Sequence, residues 1–449
     1  MASFDILRLA LICVSVATIL AIVDSKNKLG KDMRLRSDSR IIIKKGLWTV
    51  LVLVVFVTGR HILVPGVDVE QVLKFSQNQY LLQFVSGTTG GDLSTLSLFS
   101  LGLAPWMSAL IIWRVLQLFK KLELDKITTT RAYVLKMILA IILAAIQSLS
   151  IAFTISLEKN GHGTGFTGST QVYEVAFIMI AGSVFLIWLS NMNELYGLGG
   201  PTVLILAGML INLPSNTLAY LMPIFQSGGW LTGGIVIATA VAGALILTRI
   251  AIVMQLSEYR ISIKNVLSSS GFYQDTYLPL LVNPAGGMPL MYSMTIMTLP
   301  QYFFQLLVVF WPNNKFILYL IENLTLSKML GITFYVLVLF VLTIGFAFVN
   351  VDPDQITETL QQSGDYIENV EPGDPTKKYL TQKIMSLAIV GAIYLELFAG
   401  FPLYLGLIDE SYTAIVMSIS MVFIIVGMET MLNDQVQALW TKNNYQSLL

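Results

Sequence analysis

Charge is what this 449-residue chain has least of: 12% of its residues are Asp, Glu, Lys or Arg, against 55% that are hydrophobic. A soluble domain carries about a quarter charged residues, and even a large core needs a polar skin. A soluble globule is therefore excluded. The single cysteine, Cys13, rules out an internal disulfide and any cysteine-based metal cluster. Two histidines, His61 and His162, fall in different segments and cannot alone make a metal site. Lys plus Arg and Asp plus Glu balance at 27 each, which argues against a whole-protein surface for nucleic acid. The glycines of Ser86-Gly87-Thr88-Thr89-Gly90-Gly91-Asp92 lack the Gly-Lys-Ser/Thr ending of a phosphate loop, and no cofactor motif appears elsewhere.

What the chain does have is apolar runs of roughly 17 to 25 residues, the length that crosses a hydrocarbon core. Runs and their breakers predict spans near 46–64, 98–119, 132–154, 172–190, 200–220, 232–256, 288–310, 328–350, 384–408 and 412–428. A further run, Ile6 to Val23, lacks the basic start and clear cleavage site of a signal peptide and reads as an extra helix. Orientation follows from Lys and Arg. One set of loops holds Lys26, Lys28, Lys31, Arg34, Arg36, Arg40, Lys44, Lys45, Lys120, Lys121, Lys126, Arg131, Arg260, Lys264, Lys377, Lys378, Lys383 and Lys442. The other holds only Lys74, Lys159, Lys315 and Lys328. The first set belongs in the cytosol, so the ten-span core runs from cytosol to cytosol. One cytosolic loop, 351–376, is acidic throughout, as either a solvated loop or a docking surface for a basic partner.

Two spans echo each other. Gly102-Leu103-Ala104-Pro105-Trp106-Met107 and Gly286-Gly287-Met288-Pro289-Leu290-Met291 both place a glycine three residues before a proline and a methionine two after it. Breaks at matched places in two halves suggest an internal repeat around a central path. Five spans in each half, divided near residue 225, invert the second copy. Ahead of the second span, 78–97 is too polar to span and too apolar for a simple solvated loop, which suggests a re-entrant segment lined by protein or water.

In order along residues 46–440, six motifs resemble the SecY family of protein-translocation channels. They are Val64-Pro65-Gly66-Val67-Asp68; Phe99 to Ala109; Gly199-Gly200 with Ala207-Gly208 and Leu213-Pro214; Leu278 to Gly286; Asp352-Pro353 with Pro372-Gly373; and Gly391 to Leu395. The resemblance implies an all-α polytopic ten-helix channel in the bacterial plasma membrane. Its inverted halves are expected at 46–225 and 226–430, after an extra N-terminal segment and basic linker (1–45) and before a cytosolic tail (431–449).

By position, the resemblance implies an apolar pore ring of Leu103, Met107, Ile205, Met291 and Val422. It implies a plug within Leu82 to Leu96, including Phe84, Val85, Ser86 and Leu93. It also implies a lateral gate to lipid between the second and seventh spans. Gln147, an amide in mid-span, suits a clasp across that gate, or plain helix–helix glue. Arg114 and Gln117 belong to the same gate or snorkel to the cytosol. Partners implied are a SecA-type ATPase docking on Arg260, Lys264 and the eighth loop at Glu371, small SecE/SecG-like subunits, and an unfolded secretory preprotein. The channel performs no chemistry.

Departures from the family concentrate on the cytosolic face. The sixth loop after Glu258-Tyr259-Arg260-Ile261 keeps only Lys264. The family's Ile-Arg-Pro-Gly becomes Val370-Glu371-Pro372-Gly373, and Glu396 interrupts an otherwise apolar ninth span. A retained pore with a rewritten docking face is similar to the accessory SecY of some Gram-positive bacteria. That group works with its own SecA and exports serine-rich glycosylated surface adhesins. A divergent housekeeping SecY is the alternative. A secondary transporter fits less well, because Arg8, Arg60, Arg114, Lys136, Arg249 and Glu396 are scattered rather than gathered at a midplane site.

Overall fold

The computed structural model describes residues 39–65, 86–93, 96–118, 127–160, 170–212, 242–265, 276–407 and 410–446. The run at 6–23, most of the basic linker, and Phe84 and Val85 lie outside the described residues. The described chain is helical in the main: α1 (Ser39–Arg60), α2 (Ala104–Leu118), α3 (Thr129–Asn160), α4 (Thr170–Tyr196), α5 (Gly200–Asn212), α6 (Ala242–Leu256), α7 (Met288–Phe310), α8 (Lys315–Asn323), α9 (Met329–Asn350), α10 (Pro353–Ser363), α11 (Asp374–Leu395) and α12 (Glu410–Gln446). Among the described residues, six helical stretches are long and apolar enough to cross a membrane. Large apolar side chains such as Phe177, Leu245 and Leu337 are exposed, as lipid-facing positions are.

The two echoed motifs have the same local structure. Gly102 and Gly286 adopt φ of +57° and +67°, a region that favours glycine. The Gly102 amide donates to Phe99 O at 2.9 Å, and the Gly286 amide to Asn283 O at 3.1 Å. Each turn delivers a helix two residues later, with Pro105 and Pro289 second in line, where a missing N–H costs nothing. The second helix consequently starts at Ala104 rather than near residue 98, and 98–103 is a succession of turns.

Two other boundaries differ from expectation. After α11 the chain makes one π turn (Glu396–Gly400) and a 3-10 stretch (Phe401–Leu407), as Pro402 has no N–H to continue an α-helix. The last helix continues past residue 428 to Gln446, because no proline interrupts it.

A small antiparallel sheet accompanies the helices: β1 (Glu258–Asn265), β2 (Thr276–Leu281) and β3 (Asp365–Ile367), in the order β2-β1-β3. Its register pairs Ile261 with Leu278 and Ile263 with Ile367. The acidic loop is therefore built rather than merely solvated. Asp352 caps α10 by accepting from the Asp354 amide at 2.9 Å, and Pro353 opens the helix. Gly364, at φ +73°, closes it and leads into β3.

The chain forms two compact units. One gathers the described residues up to 212 with Thr298–Ile321 and the helix from Met428 onward. Its buried cluster includes Leu93, Leu96, Leu101, Ile151, Val172, Met179 and Tyr302. The other gathers 242–297 with Glu322–Gly427, and α9 and α11 pack together in it around buried Tyr335, Leu339, Ile384 and Ala388.

Candidate functional site

The glycine-rich segment after residue 86 is buried and tightly seated. Ser86 and Leu93, both plug candidates, are 3% and 2% exposed. Ser86 Oγ donates to Ser100 O at 2.8 Å, and the Gly91 amide to Ser86 O at 2.7 Å. A side chain at Gly208 of α5 would run into the backbone of Gly90, and one at Gly102 into Gly91. Glycine at these positions lets three backbones touch.

Three ring candidates belong to the same packing. Leu103, Met107 and Ile205 are all buried, and the Leu103 amide donates to Thr89 O at 2.9 Å. The backbone of Leu204 and Ile205 lies directly under Gly90. In the other unit Met291 is fully buried at the start of α7, and Val422 is half-buried on α12. There the chain before α7 meets α12: a side chain at Gly287 would touch Phe423 O and Gly427 Cα.

A polar connection joins α3 to the second half of α7. Ser150 Oγ donates to Gln305 Oε1 at 3.0 Å, both side chains being buried. Gln147 lies one turn earlier on α3, 1% exposed, with its Oε1 unpartnered among the described residues. Tyr302 of α7 packs into the apolar cluster with Ile151 and Ala152 of α3. Arg114 and Gln117 are half-buried in the last turns of α2. Arg114 is a like-charged neighbour of Lys136, and Lys136 precedes Gln147 by about 16 Å along α3. Arg114 thus lies at the level of the helix end rather than with Gln147.

On the sheet, the two basic docking candidates already have partners. Lys264 Nζ sits 2.5 Å from Glu368 Oε1, and this hydrogen bond raises the lysine pKa. Arg260 lies over the Tyr277 ring at 4.5 Å, with Glu258 at 3.5 Å. Lys377 is held by Asp354 at 2.5 Å, again with a raised pKa. Glu371 is exposed, with no ion-pair partner among the described residues.

Sequence reasoning found Gln147 but not Ser150 or Gln305, and it read Arg60 only as one of several scattered charges. Arg60 Nη2 in fact lies 3.1 Å from Asp92 Oδ2 and 2.6 Å from Asn212 Oδ1. The cue was present: an arginine closing an apolar span requires an anion or amide nearby.

The fold is similar to that of solved Sec-type channel structures. The solved structure described as that of a protein conducting channel superposes with a TM-score of 0.62, covering 90% of this chain and 93% of that one at 15% identity. Sec61 in the canine ribosome–channel complex gives 0.57, with the same coverage and identity. The sequence model of the SecY family matches residues 97–431. The accessory Sec system protein translocase subunit SecY2 of Leuconostoc gelidum subsp. gasicomitatum is 47% identical over 92% of this chain and 98% of its own length. SecY2 of Streptococcus gordonii is 35% identical over 91% and 98%. The chain belongs to the SecY family. It is a multi-pass subunit of a protein-translocation channel in the bacterial plasma membrane, not an enzyme, in a family that works with SecE/SecG-type subunits and ATPase motors.

Proposed function

We propose that this chain is the channel subunit of an accessory Sec translocase. In this reading it conducts unfolded secretory proteins, serine-rich glycosylated surface adhesins among them, and an accessory SecA supplies the energy. The observation that carries it is the 47% identity to an accessory SecY2 along nearly the whole of both chains. The cytosolic face supports it: Lys264 and Lys377 are neutralised within the protein, while Glu371 is left to meet a partner. A motor that selects this face presents basic residues, and a motor built for basic loops is disfavoured.

In the same reading, the halves at 46–225 and 226–430 surround the path. Leu103, Met107, Ile205, Met291 and Val422 form its apolar waist, which resists wetting while flexible side chains adapt to a passing chain. The segment from Leu82 to Leu96 plugs it. The α3–α7 connection, with Gln147, clasps the lateral gate; parting it admits a signal helix from the channel to lipid.

The test is purification of the full chain in mild detergent from its native membrane, with identification of the SecA-type ATPase that accompanies it. Recovery of a second, non-housekeeping motor and small Sec subunits is expected. Recovery of the housekeeping motor alone makes the chain a divergent general SecY.

A further inference from the structure

Asp92 and Gly91 sit in the buried segment read above as the plug, yet they are tied to two helices far away in sequence. Arg60, the last residue of α1, is 7% exposed overall, and its guanidinium holds the Asp92 carboxylate at 3.1 Å. The same Nη2 donates to Asn212 Oδ1 at 2.6 Å, at the end of α5. Asn212 turns its amide the other way: Nδ2 donates to Gly91 O at 3.0 Å. Arginine, carboxylate and amide thus close a loop around the segment at a single point. Independently, Gly90 rests on Gly208 with no room for a side chain, which fixes where the segment sits on α5.

We infer that Arg60, Asp92 and Asn212 form a latch that holds the plug in its resting place. Resting on the plug reading given above, the inference assigns these three residues as positioning residues for closure of the channel. The chemistry fits a latch better than mere packing. Separating Asp92 from Arg60 leaves a charge in a poorly solvated site, so small displacements are resisted and a large one, reaching water, is not. The glycine contact fixes the resting position but offers no hold beyond it, because van der Waals attraction is largely lost within about an ångström of separation.

The experiment uses the full chain with Cys13→Ser, in liposomes. Ser86→Cys, at a position 3% exposed, reports plug displacement through its reaction with a water-soluble thiol reagent. Ser190→Cys, at a fully buried position on α4, is the control for general loosening. Asp92→Asn is expected to speed labelling at position 86 by roughly tenfold or more and leave position 190 unchanged. Asp92→Glu should recover most of the protection. If Asp92→Asn does not fold, Asn212→Ala, which removes the amide and keeps the charge pair, takes its place. Unchanged labelling at 86, or equal acceleration at 86 and 190, overturns the latch. Ion conductance measured in parallel separates the two readings: faster labelling with no added leak upholds the latch and rejects this segment as the seal.

Discussion

Ser150 and Gln305 are 155 positions apart and share one hydrogen bond of 3.0 Å, from the α3 hydroxyl to the α7 amide oxygen. A serine within a helix ordinarily satisfies itself on its own backbone, as Ser148 does on Ala145 O. Spending the hydroxyl across helices, next to the buried apolar contact of Tyr302 with Ile151, ties the two together with a bond that is directional and weak.

Ser150→Ala is therefore expected to ease separation of α3 from α7. An interhelical hydrogen bond in a membrane contributes about 0.6–1 kcal/mol, so export of a substrate with a shortened, less apolar signal should rise by about threefold. An unchanged export rate would remove the clasp role.

Leu103→Asn combined with Met107→Asn is expected to make the closed channel leak ions, because two amides at a constriction favour water. Single-channel conductance in planar bilayers checks this. A silent double variant would take these residues out of the seal.

Gly208→Ala is expected to destabilise the protein by about 1–3 kcal/mol, since α5 or the Gly90 backbone must shift to admit a methyl group. Gly46→Ala, where a Cβ meets nothing within 4 Å, should be neutral or slightly stabilising. Thermal unfolding of both variants in detergent gives the comparison.

Glu371→Lys is expected to weaken motor binding by about tenfold at low salt, with the difference shrinking as ionic strength rises. A titration of the ATPase onto the reconstituted channel at two salt concentrations measures it. Equal affinities at both would place the docking surface elsewhere.

Glu396 is 3% exposed in the π turn after α11, and neither carboxyl oxygen has a hydrogen-bond partner among the described residues. An uncompensated buried polar group costs about 1–3 kcal/mol. Glu396→Met is expected to raise the unfolding temperature. A fall would reveal a partner for the carboxyl in the assembled translocase.

What was legible in the sequence was local chemistry. Gly102 with Pro105, and Gly286 with Pro289, read as matched breaks, and the structure has a glycine turn at both places, although the helix start after Gly102 falls later than the apolar run suggests. Asp352 with Pro353 opens α10 and Gly364 closes it, a helix inside what the sequence presents only as an acidic loop. Gln147 stood out as an amide in mid-span, but Ser150 and Gln305 did not, because nothing in a serine's neighbours tells which acceptor it will choose. Arg60 and Asn212 meet across 152 positions, a pairing set by tertiary packing. The sheet escaped notice because β3 is only three residues long and pairs with β1 from a distant part of the chain.

That third strand bears on how a partner meets the cytosolic face. A loose acidic loop must be ordered by whatever binds it, at an entropic cost for each residue fixed. Here Asp352 and Gly364 set the ends of α10, and β3 is hydrogen-bonded to β1, so Glu371 is presented a few residues from a framework already in place. Such a surface recognises by fit at first contact. In the docking reading proposed above, discrimination between motors rests on the spacing of charges on the incoming protein as well as on their number, and adding lysines to a motor at random would not reproduce it.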